Sequence, residues 1–192
     1  MVHEATLSRG KLVLEYIKLQ SIDLFMDYVQ REARNIANAN LVVGNINDGE
    51  FHWIGIYDHL ARREKIDSTD NFVITNGSFQ SEWGKHIQGK AKFEKCLEQS
   101  MDKDSLVSRL FETLQNKETS NINIPTPQET ELTVQQELAL SSIFTEPFSV
   151  DGTSYGTISS SVIIVDKYGS VDYIEKTWHP CPSVSSVEFT LI

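Results

Sequence analysis

The cysteines and histidines are the side chains of this sequence best suited to nucleophilic or metal chemistry, because thiolates and imidazoles attack carbonyl carbons and bind transition metals. Cys96 is placed on the same face of a predicted helix as Gly89, Phe93 and Leu97, which predicts a buried structural thiol. His52 and His59 are seven residues apart, across a predicted strand and its exit, and neither a carboxylate nor a thiol completes a ligand shell. The sequence therefore predicts no metal site and no cofactor.

Cys181, the second cysteine, lies in the run His179-Pro180-Cys181-Pro182. A Cys-Pro pair beside a histidine resembles short haem-regulatory motifs, so Cys181 and His179 are candidate haem ligands. The alternative is a proline-rich loop that joins two strands. The loop is the favoured interpretation, because a two-residue motif is very permissive.

The elements that would position these residues form a helical part and a strand-rich part. Asn47-Asp48-Gly49 between two apolar runs predicts a hairpin. The polar, proline-bearing stretch 117–133 predicts an exposed loop, either a solvated connector or a regulatory, partner-binding segment. Helices are predicted over 11–18, 23–34, 83–98, 104–116 and 134–140, and strands over 40–46, 50–57, 71–75, 161–166, 171–178 and 187–192.

The arrangement of these elements predicts the fold class. The run 161–166 is almost continuously apolar and rich in β-branched residues, which predicts a central strand covered on both faces. Strands joined as hairpins, with helices in a separate run, predict an α+β fold of layered antiparallel sheets flanked by helices. The length, 192 residues, favours a single domain over 1–192.

The composition restricts the classes of partner. With 17 Lys+Arg against 27 Asp+Glu, the formal net charge is -10. Such a charge repels phosphate backbones, so nucleic acid is not an expected partner. The sequence has no apolar run near the roughly 20 residues that span a bilayer, so no transmembrane segment is predicted. Two cysteines make no disulfide framework, and we expect a cytoplasmic protein.

Several short segments resemble one known family and occur in the order found there. Ser8-Arg9-Gly10 is similar to the opening of an early helix, and Trp83-Gly84-Lys85 is similar to the start of a later one. Further similar segments are 75–77, 89–90, 155–166, 171–178 and 188–191. On these segments the chain resembles the transport and Golgi organisation protein 2 family, also called the NRDE family, along most of its length.

The sequence also departs from that family's pattern. Relatives begin with Met-Cys and carry an Asn-Arg-Asp-Glu box on an early strand, whereas here Met1 is followed by Val2 and no such box occurs. Ile158 stands where the family usually has arginine. We therefore expect the resemblance to cover only the C-terminal two-thirds of a relative, with a truncated N-terminus that lacks the nucleophile segment.

The resemblance implies a fold and a role. The fold would be an Ntn-hydrolase-like αββα sandwich, incomplete at its N-terminus. The role would be in Golgi organisation and protein secretion, or in lipid or haem handling, including haem trafficking, at a cytoplasmic location peripheral to the Golgi or to mitochondria. Without the nucleophile segment the chain would be non-catalytic. The alternative is a remnant or mis-assigned fragment of an Ntn-type amidohydrolase or acyltransferase.

The resemblance also identifies one candidate catalytic residue. Asn76, followed by Gly77, lies where a predicted strand ends. In Ntn amidohydrolases an asparagine at such a strand end donates a hydrogen bond to the oxyanion, which makes Asn76 the candidate donor. The alternative is that Asn76-Gly77 is only a turn. The turn is the favoured interpretation, because the nucleophile that the donor would serve is missing.

The segment 155–166 resembles the signature strand of the family. Its first three residues, Tyr155, Gly156 and Thr157, are the candidate ligand-binding residues. Ile158 after them offers no donor to an anionic group, unlike the arginine of the family. The expected partner is a small hydrophobic or anionic ligand. Because a missing N-terminal segment would leave a strand unpaired, self-association through an exposed sheet edge is also predicted.

Overall fold

The computed structural model describes residues 7–46, 49–67, 69, 71–75, 83–120, 132–150 and 152–191. The chain divides into two compact units, Met1–Ser81 and Glu82–Ile192. Each unit has its own helices and its own three-stranded antiparallel sheet. That the chain folds as one domain stays a prediction.

The first unit places two helices before a meander of three strands. Its sheet has the order β1-β2-β3, so β2 is the middle strand. Asp58 and His59 connect β2 to β3 with positive φ angles of 51° and 64°, the backbone geometry of a tight hairpin turn. The elements are α1 (Arg9–Leu19), α2 (Ile22–Glu32), a short 3₁₀ helix (Ala33–Asn35), β1 (Ala39–Asn45), β2 (Glu50–Tyr57) and β3 (Leu60–Ile66).

The core of this unit lies between the helices and β2. Phe25, Leu12 and Ile54 are fully buried in it. Because buried apolar area is the main stabilising term in folding, this cluster holds the unit together. The buried members of the cluster are Leu12, Phe25, Met26, Val29, Ala33, Ile36, Val43, Ile54 and Ile56.

Both predicted helices of the first unit are confirmed, as is the antiparallel pairing of β1 with β2. The predicted strand over 71–75 is wrong, because that segment has no sheet pairing. It is tied to the sheet by a side chain instead, since Asn40 Nδ2 donates to the Thr75 carbonyl at 2.8 Å. The strand β3 was not predicted because its middle, 62–65, consists of charged residues and so lacks the alternation of apolar and polar side chains that indicates a strand. Charged side chains of this kind are common on edge strands.

The second unit has three described α-helices and two antiparallel sheets. Asp102 with Ser105, and Thr133 with Gln136, form capping boxes that begin α4 and α5. The sheets have the orders β4-β5 and β6-β7-β8. The elements are α3 (Gly84–Gln99), α4 (Lys103–Leu114), α5 (Val134–Leu140), β4 (Phe148–Val150), β5 (Thr153–Tyr155), β6 (Ser159–Val165), β7 (Ser170–Thr177) and β8 (Ser183–Thr190).

Helix α4 covers one face of the sheet β6-β7-β8. Lys103 Nζ forms an ion pair with Asp172 at 3.0 Å, and Lys176 Nζ lies 4.2 Å from the centre of the buried Phe111 ring. The buried Val162 of β6 belongs to the same face, since it pairs with Ile174 between these positions. Thus an α+β fold with antiparallel sheets is confirmed.

The prediction that 161–166 is a central strand covered on both faces is wrong. Within the described residues β6 is an edge strand and β7 is the middle one. Burial alternates along β6: Val162 is 5% exposed and Ile163 is 63% exposed. The apolar run is therefore the sequence of a strand with only one covered face. The β8 prediction was four residues late, because its polar first half carries little apolar signal.

The described parts of the predicted loop 117–133 pack against other residues of the second unit. Ser120 is buried, and its backbone N–H donates to Ser141 Oγ at 2.8 Å. Lys117 Nζ pairs with Glu146 at 2.7 Å. Residues 121–131 lie outside the described part of the chain. Across the part that is described, helices fall short of the length and apolarity that crossing a membrane demands.

Candidate functional site

The candidate oxyanion donor Asn76 and its neighbour Gly77 lie outside the described residues. The chain is described up to Thr75, which receives the hydrogen bond from Asn40. Asn40 Oδ1 in turn accepts from the Trp53 indole nitrogen at 2.8 Å. The role of Asn76 stays a prediction.

The candidate ligand-binding residues begin with the last residue of β5 and make contacts within the chain. Tyr155 is 56% exposed, and its ring centre lies 5.7 Å from that of Phe148. Gly156 passes so close to Pro147 that an added Cβ would lie 3.0 Å from its Cα. The Thr157 backbone N–H donates to Thr145, whose own N–H donates to Thr157 Oγ1, both at 2.9 Å. These two hydrogen bonds give Thr157 a structural role. Ligand binding by the three residues stays a prediction.

Ile158 and the candidate haem residue His179 are brought near one another by backbone hydrogen bonding. The Ile158 carbonyl accepts from the N–H groups of Trp178 and His179, at 2.7 and 3.4 Å. The side chain of Ile158 is 65% exposed. His179 precedes a cis proline bond, and Cys181 is exposed in the loop between β7 and β8. Haem binding by Cys181 and His179 stays a prediction.

Cys96 is buried, as the helical spacing predicted. Its Sγ lies 3.3 Å from Thr113 Oγ1, so it joins α3 to α4. His52 is buried in β2, while His59 lies in the turn that follows this strand. Across the described ranges, no three His, Cys, Asp or Glu side chains are grouped to hold a metal ion.

A partly buried polar cluster near the start of α3 was not predicted. We call it the Lys85 cluster and define it as Trp83, Lys85, Gln88 and Glu137. Lys85 and Gln88 share a face of α3, since they are three residues apart. Glu137 projects from α5, whose start is set by the Thr133 capping box. Two helices therefore hold the members in place, and the start of α5 is fixed by its capping box.

Lys85 is fixed by the end of α5. Its Nζ donates to the Leu140 carbonyl at 2.8 Å and lies 5.5 Å from the centre of the Trp83 ring. Leu140 is the last residue of α5, whose terminal carbonyls have no partner in the helix and favour a cation. Burial lowers the pKa of Lys85 from 10.5 to about 8, and the negative charge of Glu137 partly opposes this change.

The Lys85 cluster contains polar atoms that find no hydrogen-bond partner among the residues described. Glu137 is 4% exposed, and its Oε1 accepts no hydrogen bond from any of them. Gln88 Oε1 of the cluster, and Nδ1 of His86 beside it in α3, are buried in the same way without a described partner. Because each buried polar atom without a partner costs about 1–3 kcal/mol, such a group of them is typical of a place that receives a partner from outside the chain. Lys85 can donate to that partner, and Glu137 and Gln88 can accept from it.

Sequence reasoning noted Trp83-Gly84-Lys85 as a resemblance and gave Lys85 no role. The sequence carries no distinct signal for Glu137, because α5 also contains Gln135 and Gln136 and shows no clear apolar stripe. The proximity of Glu137 to Lys85 was not predictable from the sequence, since the two residues are far apart in the chain.

Comparison with known proteins gives a consistent result. A family model described as Transport and Golgi organisation 2 matches residues 2–180. The mouse Transport and Golgi organization 2 homolog is 25% identical over 175 residues, which is 88% of this chain and 61% of the relative. The bovine Transport and Golgi organization protein 2 homolog gives the same figures. The human one is 24% identical over 173 residues, with the same coverage.

The predicted family resemblance is therefore confirmed, but not its restriction to the C-terminal two-thirds of the family. The chain spans 61% of the length of these curated relatives. The matched residues 2–180 include the Lys85 cluster and every candidate residue named above except Cys181.

Proposed function

Because the chain belongs to the Transport and Golgi organisation 2 family, we propose that it acts in transport and Golgi organisation as a non-catalytic binding protein. Its ligand is a small molecule whose polar head both accepts and donates hydrogen bonds. The Lys85 cluster receives that head. A primary carboxamide is the simplest group that meets these requirements.

The observation that carries this proposal is the buried Glu137 Oε1, which accepts no hydrogen bond within the described part of the chain and is held close enough to Lys85 to affect its pKa. A carboxamide would accept from Lys85 Nζ and donate to Glu137. A carboxylate of the same shape would meet the Glu137 charge in a poorly hydrated place, where repulsion between like charges is strong. The site therefore favours a neutral head over an anionic one.

Hexanamide and hexanoate test this preference, because they differ only in the head group. We expect the full chain to bind hexanamide at least about tenfold more tightly than hexanoate, a difference of about 1.4 kcal/mol measured by calorimetry. The variant Glu137→Gln removes the repulsive charge and keeps the shape. Its preference should fall to about threefold or less.

The matched control is Lys90→Met, because Lys90 is exposed on the same helix. It should bind hexanamide like the unchanged chain, whereas Lys85→Met should lose binding. Equal affinities of the unchanged chain for the two ligands would refute the proposed head-group selectivity. Equal losses in Lys85→Met and Lys90→Met would refute the site.

The lowered pKa of Lys85 also gives a pH test. Since the folded state releases the Lys85 proton near pH 8 and the unfolded state near 10.5, the unfolded state binds more protons between these values. The cost of a buried charge is thus present below about pH 8 and is relieved as the pH rises. The free energy of unfolding of the unchanged chain should rise relative to that of Lys85→Met in this window. Parallel curves in denaturant titrations would exclude a buried ammonium.

The cellular role requires a separate test. In cells depleted of their own family member, expression of this chain should restore the rate of cargo secretion and the Golgi morphology. Lys90→Met should restore both to the same extent, and Lys85→Met should restore neither at equal protein level. Full rescue by Lys85→Met would show that the cellular role does not depend on the Lys85 cluster.

Two finer expectations are part of the same proposal. An Ntn-hydrolase-like αββα fold is implied by the family resemblance, and each unit has antiparallel strands and helices of the kind that such a fold contains. A peripheral association with the Golgi follows from the family's role. Lipid or haem handling and the amidohydrolase alternative draw no support from the Lys85 cluster.

A further inference from the structure

A groove between α3 and α4 is distinct from the Lys85 cluster. It has a volume of about 290 Å³. It is lined by the buried Cys96 and the half-buried Thr113, whose Sγ and Oγ1 lie 3.3 Å apart. Its walls carry Lys92, Lys95 and Arg109.

The charge of this groove is opposite to that of the chain. The whole chain has a formal net charge of -10, yet three cations face the groove with a single carboxylate, Glu112. Clefts lined by one sign of charge concentrate the potential and raise the local concentration of the opposite ion. The groove is therefore a positive feature on an acidic protein.

The cations are only partly neutralised by their neighbours. Lys92 Nζ lies 3.3 Å from Glu118, and Arg109 Nη1 donates to the uncharged Gln99 side chain at 3.3 Å. Lys95 makes no ion pair or hydrogen bond with any residue that the structure describes. Most of the donors of Arg109 and Lys95 are thus free to bind a ligand.

We infer that this groove binds a small oxyanion carrying more than one negative charge. The guanidinium of Arg109 matches two oxygens of a phosphate or carboxylate, and Lys95 supplies a second charge. Several charges are required because an isolated exposed ion pair contributes only about 0–1 kcal/mol. The volume of the groove suits an anion of the size of pyrophosphate or citrate.

Calorimetric titration of the full chain with pyrophosphate, and separately with citrate, tests this site. We expect saturable binding of at least one of them at one anion per chain, weaker at about 0.15 M salt than at low ionic strength. Binding of pyrophosphate alone would assign the site to phosphate chemistry. Equal binding of citrate would show that the groove recognises the charge and size of the anion and not the phosphate group. Both results support the proposal.

Substitutions locate the site. Lys95→Gln and Arg109→Gln should each weaken binding about tenfold, and Arg109→Lys should recover part of the loss because the charge is kept. The control Lys90→Gln removes the same charge from the exposed part of α3 and should stay within about twofold. Lys95→Gln is the decisive variant, because Lys95 makes no described bond that folding requires. The absence of saturable heat with both anions, or an equal loss in Lys90→Gln, would overturn the inference.

Discussion

The strands β2 and β8 have the same length and the same antiparallel pairing, yet they differ completely in burial. Five consecutive residues of β2, from His52 to Ile56, are buried, so both of its faces are covered. All eight residues of β8 are exposed, including Val187 and Phe189 at 57% and 48%. The first is a middle strand and the second is an edge strand.

The difference shows that strand sequence alone does not set burial. In the first unit, α1 and α2 place Leu12, Phe25 and Val29 against Ile54. In the second unit, α4 packs on one face of the sheet along β6 and β7, while every residue of β8 stays exposed. Burial therefore follows the packing helices rather than the strand pattern.

The largest expected effect comes from truncating the same kind of side chain in the two strands. Ile54→Ala should lower the free energy of unfolding by about 2–5 kcal/mol, because it leaves a cavity in the core of the first unit. Val187→Ala on β8 should change it by about 0.5 kcal/mol or less. Urea titrations of both variants measure the contrast. A large loss for Val187→Ala would mean that another surface covers β8 in solution.

A second test concerns the close approach of the β1 and β2 backbones in the sheet of the first unit. A Cβ added at Gly44 would lie 2.9 Å from Phe51 Cα and closer still to the Glu50 carbonyl, neither of which can move freely. Gly44→Ala should cost about 1–3 kcal/mol. Gly10→Ala is the matched control, because a Cβ there meets nothing within 4 Å. Equal thermal stability of the two variants would show that β1 and β2 shift apart at little cost.

The third test applies the contrast within one strand. Val162 and Ile163 are adjacent in β6 but are 5% and 63% exposed. Val162→Ala should cost about 1–2 kcal/mol, at about 0.8 kcal/mol for each buried carbon removed. Ile163→Ala should cost about 0.5 kcal/mol or less. A reversed order of the two losses would place α4 on the other face of β6.

The prediction of self-association through an exposed sheet edge concerns the same region. With its exposed valines and phenylalanine, β8 is the described edge most open to another chain. Sedimentation at increasing concentration should show Val187→Lys less associated than the unchanged chain. No concentration dependence in either protein would remove the prediction.

Much of the fold was determined by local sequence. The 3.6-residue apolar period of α2 and α4 and the β-branched residues of β6 predicted these elements, because local periodicity reflects which face meets apolar surroundings. The helical spacing of Cys96 correctly predicted its burial. The order of short family segments predicted the family, which the matched residues 2–180 confirm.

Other features were decided only by tertiary structure. The order of the strands made β6 an edge strand. An apolar run has the same sequence pattern whether one face or both faces of the strand are covered. The charged β3 is held in the sheet by main-chain pairing with β2, which side-chain pattern does not encode. The Lys85 cluster and the α3–α4 groove join residues from separate helices. Their burial and their electrostatic interactions depend on distances in space, which spacing along the chain does not determine.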